Sequence, residues 1–260
     1  MKRFDSTIVS IETVAADYYQ LSFHWDAAAG QPAPGAFLTL LAGSGYDPAL
    51  RRPFAFSAYD PATAIASIIF QKRGRGTAWL AERRIGDPLD VLGPLGSGFT
   101  LPPAGVRPVL IAGGIGLGPM KYLAETLYAA AAAGRGEAPL LVLGYRTAAF
   151  VPHCSLPEAT VICTDDGSQG FQGTVSAYLQ QLHDPLPLKY YACGPAPMMR
   201  AIDKLAALHS PSWEAATEQW MACGVGACMG CVLPFRDGSS KRCCADGPVF
   251  AGQLLDWDRI

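Results

Sequence analysis

The sequence predicts an antiparallel β-barrel followed by an α/β unit with a parallel sheet and a small cysteine-rich tail. Three observations predict this. Short β-branched and aromatic runs broken by Gly, Pro and Asp fill residues 1–101. Strand-like and helix-like segments alternate through residues 102–212. Five of the eight cysteines fall within residues 221–250, in the tail 213–260.

In the first region the runs "STIVSIETV", "YYQLSFHW", "FLTLLAG", "AIASIIFQK" and "DPLDVLGP" recur at intervals that suit a small antiparallel barrel. No long amphipathic helix precedes Thr77. In the second region "RPVLIAGG" is a buried strand, "PMKYLAETLYAAAAAG" a helix, and "APLLVLGYR" and "ATVICTDDG" strands. "TVSAYLQQLH" is a second helix, "KYYACGP" a strand and "APMMRAIDKLAALH" a third helix. Such alternation specifies a doubly wound parallel sheet. The alanines at 129–133 are a helix interior, since Ala is the best helix former.

Composition narrows the function. At 260 residues and 50% hydrophobic, the chain has apolar surface for two cores, at about one domain per 100–200 residues. A formal charge of -2 without a basic block argues against nucleic acid or an anionic membrane as partner. The chain carries no membrane-spanning run and no signal-peptide core, so a soluble, cytoplasmic protein is expected. In that compartment thiols stay reduced, and clustered cysteines point to metal rather than disulfides.

The glycines add ligand chemistry. "LIAGGIGLGPM" closes a strand and opens a helix, so Gly114, Gly116 and Gly118 allow a tight turn whose amides face a diphosphate. Pro119 suits the first helical turn, where its missing N–H is not needed. "CGPAPM", with Cys193, Gly194 and Pro195, ends a later strand of the same sheet, and ligands bind at the carboxyl ends of parallel strands. In the first region "RRPFAF" sets a cation beside a proline and an aromatic ring. "IFQKRGRGTAWL" runs from Ile69, Phe70 and Gln71 to Gly76 and Thr77 at a helix start, again a diphosphate geometry. A barrel strand, a bend and a capped helix with no ligand is the competing reading.

The tail reads as a metal centre. Cys223-x4-Cys228-x2-Cys231 has the spacing of plant-type [2Fe–2S] loops, and Gly224, Gly226 and Gly230 supply the small-residue wrapping. Cys243 or Cys244 is the fourth ligand; in an extended segment the two side chains point to opposite faces. Structural zinc and unliganded thiols are the alternatives, but the paired C-x2-C knuckles of many zinc sites are missing. Cys154 and Cys163 read as ordinary buried residues, and His24, His153, His183 and His209 are scattered. No acid/base constellation for an organic substrate is evident, so substrate chemistry is expected on another chain.

On "RRPFA", "RGTAWL", "GDPLDVLGPLGSGF", the Gly114–Pro119 turn, "TDDGSQGFQGTV", "CGPAPM" and "CADGPVF", the chain resembles the ferredoxin reductase superfamily. With the tail included, it resembles the electron-transfer subunits of class 1B dihydroorotate dehydrogenases. The resemblance implies FAD at Arg52, Pro53, Phe54, Ala55, Ile69, Phe70, Gln71, Gly76 and Thr77. It implies NAD at Gly114, Gly116, Gly118, Pro119, Cys193, Gly194 and Pro195, and a [2Fe–2S] cluster on Cys223, Cys228, Cys231 and Cys244. Ala55 departs from it, because the family has Ser at that position; Ser57 is a nearby candidate to replace the hydroxyl, and FAD remains the expected cofactor. Electrons would pass from an FMN-containing catalytic subunit, in a 2+2 heterotetramer serving pyrimidine synthesis, through the cluster and FAD to NAD. The small subunit of a related NADH-dependent ferredoxin:NADP or sulfide oxidoreductase is an alternative. A nucleotide-binding iron–sulfur redox sensor is another, of a different class. Arg146, after "LVLGY", would suit the 2′-phosphate of NADP or a solvated strand end; the family favours NAD.

Overall fold

The computed structural model describes residues 1–43, 50–209 and 212–260. Six strands close a barrel: β1 (Lys2–Ala15), β2 (Tyr18–His24), β3 (Phe37–Leu40), β4 (Arg52–Asp60), β5 (Ile65–Gln71) and β6 (Pro88–Leu95), in the order β1-β2-β5-β4-β3-β6. Period-two alternation fills the interior with Phe23, Leu38, Leu40, Phe56, Ile68 and Val91, all buried. A short helix, α1 (Arg75–Ala81), follows β5. The segment quoted above as "RRPFAF" begins β4, so the strand carrying the Arg52–Ala55 motif is part of the barrel wall.

The second unit contains β7 (Arg107–Gly113), α2 (Leu117–Ala132), β8 (Leu140–Tyr145), β9 (Thr160–Thr164), β10 (Phe171–Gln172), α3 (Val175–Gln180), β11 (Leu188–Cys193), α4 (Ala196–His209) and β12 (Ser212–Ala216). The tail adds β13 (Val232–Pro234), β14 (Ser240–Arg242), α5 (Cys243–Asp246) and β15 (Val249–Ala251). The large sheet runs β10-β9-β8-β7-β11-β12-β15, parallel except for β15, which pairs antiparallel to β12. Its central strands are apolar on both faces, as expected of a sheet covered by helices.

The division at 212/213 falls at the start of β12, whose residues pair along β11. The tail is tied to the same sheet through β15, and Trp213, Phe235, Trp257 and the cysteines 231, 243 and 244 share one core. A 48-residue segment has too little apolar surface for a core of its own, which accounts for this sharing.

Contacts that tie the tail and sheet to the barrel side include Ser97 N donating to Gly247 O at 2.6 Å and Lys189 Nζ donating to Thr100 Oγ1 at 2.6 Å; the same ammonium meets Glu214 Oε1 of the neighbouring strand at 2.9 Å.

His24, His153 and His183 are exposed, in keeping with their scatter. The side chain of His209 lies outside the described residues. No helix among the described residues is long and apolar enough to cross a membrane.

Candidate metal centre and the slot beside it

The cysteine loop arises from a chain with almost no regular structure between β12 and β13. Its thiols fall into two pairs. Cys231 Sγ and Cys244 Sγ are 3.3 Å apart, and the thiols of Cys223 and Cys228 are in mutual hydrogen-bond reach. Backbone amides point at the sulfurs: Gly226 N to Cys244 Sγ (3.1 Å), Cys244 N to Cys231 Sγ (3.4 Å), Val225 N to Cys223 Sγ and Gly230 N to Cys228 Sγ (both 3.5 Å). The Val225 amide and its neighbours lower the Cys223 thiol to about 6, whereas burial raises Cys244 to about 12. Among the described residues no three potential ligands converge on one ion position. Two pairs suit a two-iron cluster, with two thiolates on each iron; a single tetrahedral zinc requires one set of four. The donor set therefore fits a [2Fe–2S] cluster, with amides placed to hydrogen-bond its sulfurs.

The neighbouring cysteines correct one expectation. Cys243 and Cys244 lie in the helical turn α5, not in an extended segment, so successive side chains diverge by about 100° rather than 180°. They still part company. Cys243 is fully buried and donates to Thr217 O at 3.4 Å, while Cys244 joins Cys231. Arg242 clasps the loop, with Nη1 on Gly226 O (2.9 Å) and Nε and Nη2 on Asp246 (3.1 and 3.0 Å). That guanidinium holds the Asp246 carboxyl down to about 2.

The loop rests on the barrel. A Cβ at Gly224 would meet Thr39 Cγ2 at 3.2 Å. Thr39 is buried, accepts from Arg51 Nε (3.0 Å), and faces Pro53 across the β3–β4 register, just as Phe37 faces Ala55. Since Phe56 points into the barrel, Pro53, Ala55 and Ser57 share the outer face. Arg52, Pro53, Phe54 and Ala55 are all half-buried. At the far end a Cβ on Gly118, in the first turn of α2, would lie 3.9 Å from Ser57 Cβ. The outer face of β4 thus leads from the cysteine loop to the glycine turn in four residues, about 13 Å.

Other predicted positions divide. Arg52 lies against Gly76, its Nε 3.2 Å from where a Cβ would stand, so this glycine and the cation come together. The Thr77 hydroxyl is taken up locally, accepting from Arg73 N (2.9 Å) and Gly74 N (3.1 Å). The Phe70 ring is buried between Tyr19 and Phe54 inside the barrel, because residue 70 is on the inward phase of β5; its side chain is core, not slot lining. Ile69, on the outward phase, packs with α2, and Gln71 is half-buried at the strand end.

The loops after β7 and β11 meet. Gly114 has φ +55°, a conformation open to glycine, and a Cβ on Gly116 would stand 2.0 Å from Cys193 O. Gly116 is therefore required by the protein's own backbone. Gly118 and Pro119 are buried in the first turn of α2, and Gly194 and Pro195 lead into α4. Burial raises the Cys193 thiol to about 12.

Thr39, Arg51 and Asp90 are not legible as site residues: Thr39 looks like an ordinary strand residue, and only pairing across strands brings it to this face. Ser57, the candidate for the hydroxyl that Ala55 lacks, is buried on the same face.

Residues 218–256 match the family model described as the iron–sulfur cluster binding domain of dihydroorotate dehydrogenase B. The dihydroorotate dehydrogenase B (NAD(+)) electron transfer subunit of Geobacillus thermodenitrificans is 38% identical over 257 residues, covering 96% of this chain and 97% of the relative. That of Streptococcus mutans is 35% identical over 258 residues, with 96% of each chain covered. Among solved structures, an NADH-dependent reduced ferredoxin-NADP oxidoreductase superposes with a TM-score of 0.85 at 25% identity, over 97% of this chain and 90% of the other. Phthalate dioxygenase reductase shares the fold at a TM-score of 0.63 and 20% identity, over 92% and 75%. With a paired-thiol centre, the matching domain model and relatives aligned along nearly their whole length, this chain belongs to the family of electron transfer subunits of dihydroorotate dehydrogenase B (NAD(+)).

Proposed function

We propose that this chain passes electrons from a dihydroorotate-oxidising partner to NAD, through a [2Fe–2S] cluster on Cys223, Cys228, Cys231 and Cys244 and an FAD lodged on the outer face of β4. The observation that carries the reading is the continuity of that face, with Thr39 and Pro53 under the cysteine loop at one end and Ser57 under Gly118 at the other. When bound, a flavin exchanges a hydride with nicotinamide and single electrons with an iron–sulfur cluster, which makes such a chain a two-to-one electron converter.

The residues do the positioning. The Arg52 guanidinium beside Gly76 supplies positive charge for the FAD diphosphate, and Pro53 and Ala55 supply a flat apolar floor. The Gly114–Pro119 turn and the Cys193–Pro195 loop close the nucleotide crevice at the carboxyl ends of β7 and β11. Amides from Val225, Gly226 and Gly230 stabilise the charge on the cluster sulfurs.

The three units, bounded near 101 and 212, correspond to flavin, nucleotide and cluster. The partner is an FMN-containing catalytic subunit in a 2+2 assembly, in the cytoplasm, serving pyrimidine synthesis. NADH oxidation with ferricyanide by FAD-loaded protein, together with dihydroorotate-dependent NAD reduction once the catalytic subunit is added, is the expected result. Ferricyanide turnover without coupling to that subunit would move the assignment to the ferredoxin-coupled relative. No turnover at all in cofactor-loaded protein would overturn it.

A further inference from the structure

The hydroxyl of Ser57 is among the few buried side-chain oxygens of the described residues without a hydrogen-bond partner, and Ser57 itself is 1% exposed. A bulge puts it there. Phe56 pairs with Ile68 and Ala58 with Ser67, which leaves Ser57 without a register partner on β5. With Phe56 turned into the barrel, Ser57 faces outward under the first turn of α2, its Cβ 3.9 Å from where a Cβ on Gly118 would stand. A buried hydroxyl without a partner is destabilising, and such groups in folded proteins call for an explanation. Two residues away on the same outer face, Ala55 is half-buried and has no hydroxyl to offer.

We infer that Ser57 is a positioning residue for the flavin, giving from the bulge the hydroxyl that Ala55 lacks. This rests on the reading that FAD occupies the outer face of β4. Serine turns about a single bond among three staggered wells, so an Oγ without a partner takes the well that gains one when a polar ring edge arrives beside Ala55. Ser57 also lies beside Gly118 of the glycine turn, which puts the same residue between the outer face of β4 and that turn.

The test uses full-length protein carrying its cluster, stripped of FAD and then reloaded with FAD alone. Ser57→Ala is expected to raise the Kd for FAD about 2- to 12-fold, the loss of one hydrogen bond, and to shift the flavin absorption envelope. Without FAD the same variant should melt at the same or a higher temperature, because it removes the partnerless hydroxyl; with FAD it should melt lower. A merely structural serine would move both melting temperatures in one direction. Ala55→Ser added to Ser57→Ala should restore affinity by returning the hydroxyl to the strand face. Unchanged Kd and spectrum in Ser57→Ala, parallel melting shifts, or no rescue by Ala55→Ser would each overturn the inference. Failure of the wild-type protein to bind FAD would instead overturn the flavin reading on which it rests.

Discussion

Cys244 Sγ lies 3.3 Å from Cys231 Sγ, whereas the adjacent Cys243 turns its thiol to the Thr217 carbonyl at 3.4 Å. The helical turn of α5 separates the two side chains, and only that of Cys244 faces Cys231. Cys244→Ser should lose most of the visible iron–sulfur absorbance and electron transfer to the partner, with NADH-to-FAD transfer retained. Cys243→Ser should keep two irons and two sulfides per chain. Iron and sulfide analysis of both purified variants checks the assignment, and the reverse pattern refutes it.

Gly116 and Gly118 should behave differently. An Ala methyl at 116 would collide with Cys193 O, so Gly116→Ala is expected to cost about 1–3 kcal/mol or more and to lower the melting temperature. At 118 the methyl meets Ser57 Cβ and Ile69 O at 3.9 and 4.0 Å, ordinary contact distances, and Gly118→Ala should be near neutral or slightly stabilising in the helix. Equal melting temperatures for the two variants would contradict the packing described.

The base of the cluster loop depends on Asp90. Burial raises its carboxyl, but hydrogen bonds and charge from Arg3 and Arg51 outweigh this and leave it below its ordinary value of 3.8. Because the native value is the lower one, the stability from this group is complete above about 3.8 and is lost as pH falls through the native value. Asp90→Asn should remove it, at about 1.5–3 kcal/mol, and flatten the acid limb of a stability-versus-pH curve. An unaltered acid limb in the variant would show that the Arg51–Asp90–Thr39 brace contributes nothing.

Lys189 and Glu214 are 8% and 13% exposed and hold Thr100, the residue that leads from the barrel into the sheet. Glu214→Gln leaves a buried ammonium without its counter-charge and should cost about 3–5 kcal/mol in urea unfolding. Adding Lys189→Met to Glu214→Gln, which removes the ammonium as well, should cost clearly less than Glu214→Gln alone. A larger loss for the double variant than for Glu214→Gln would be inconsistent with a buried-pair explanation.

Trp220 is 88% exposed beside the cysteine loop, with Met229 at 55% and Val225 at 42%. Large apolar side chains exposed around the cysteine loop fit a protein partner. Trp220→Ala is expected to weaken binding of the catalytic subunit by roughly 2 kcal/mol while ferricyanide turnover stays unchanged. Titration of the catalytic subunit against the variant measures it, and an unchanged affinity removes Trp220 from the interface.

The barrel, the parallel sheet and the cysteine spacing are legible in the chain, because each is written in local periods: two for strands, 3.6 for helices, and fixed gaps between ligands. The glycine turn was legible for the same reason. Relations between residues far apart in the chain emerge only from the fold. Phe70 and Ile69 are neighbours of similar character, and the phase of β5 sends one into the barrel and the other to α2. β12 and β15 are too short to announce themselves, and their pairing makes the tail part of the large sheet. Thr39 carries no local signal, yet the register with Pro53 and the approach of Gly224 put it between the cysteine loop and the outer face of β4. Burial, pairing and contact across the fold are properties of two or more distant segments at once, and a local pattern records only one of them.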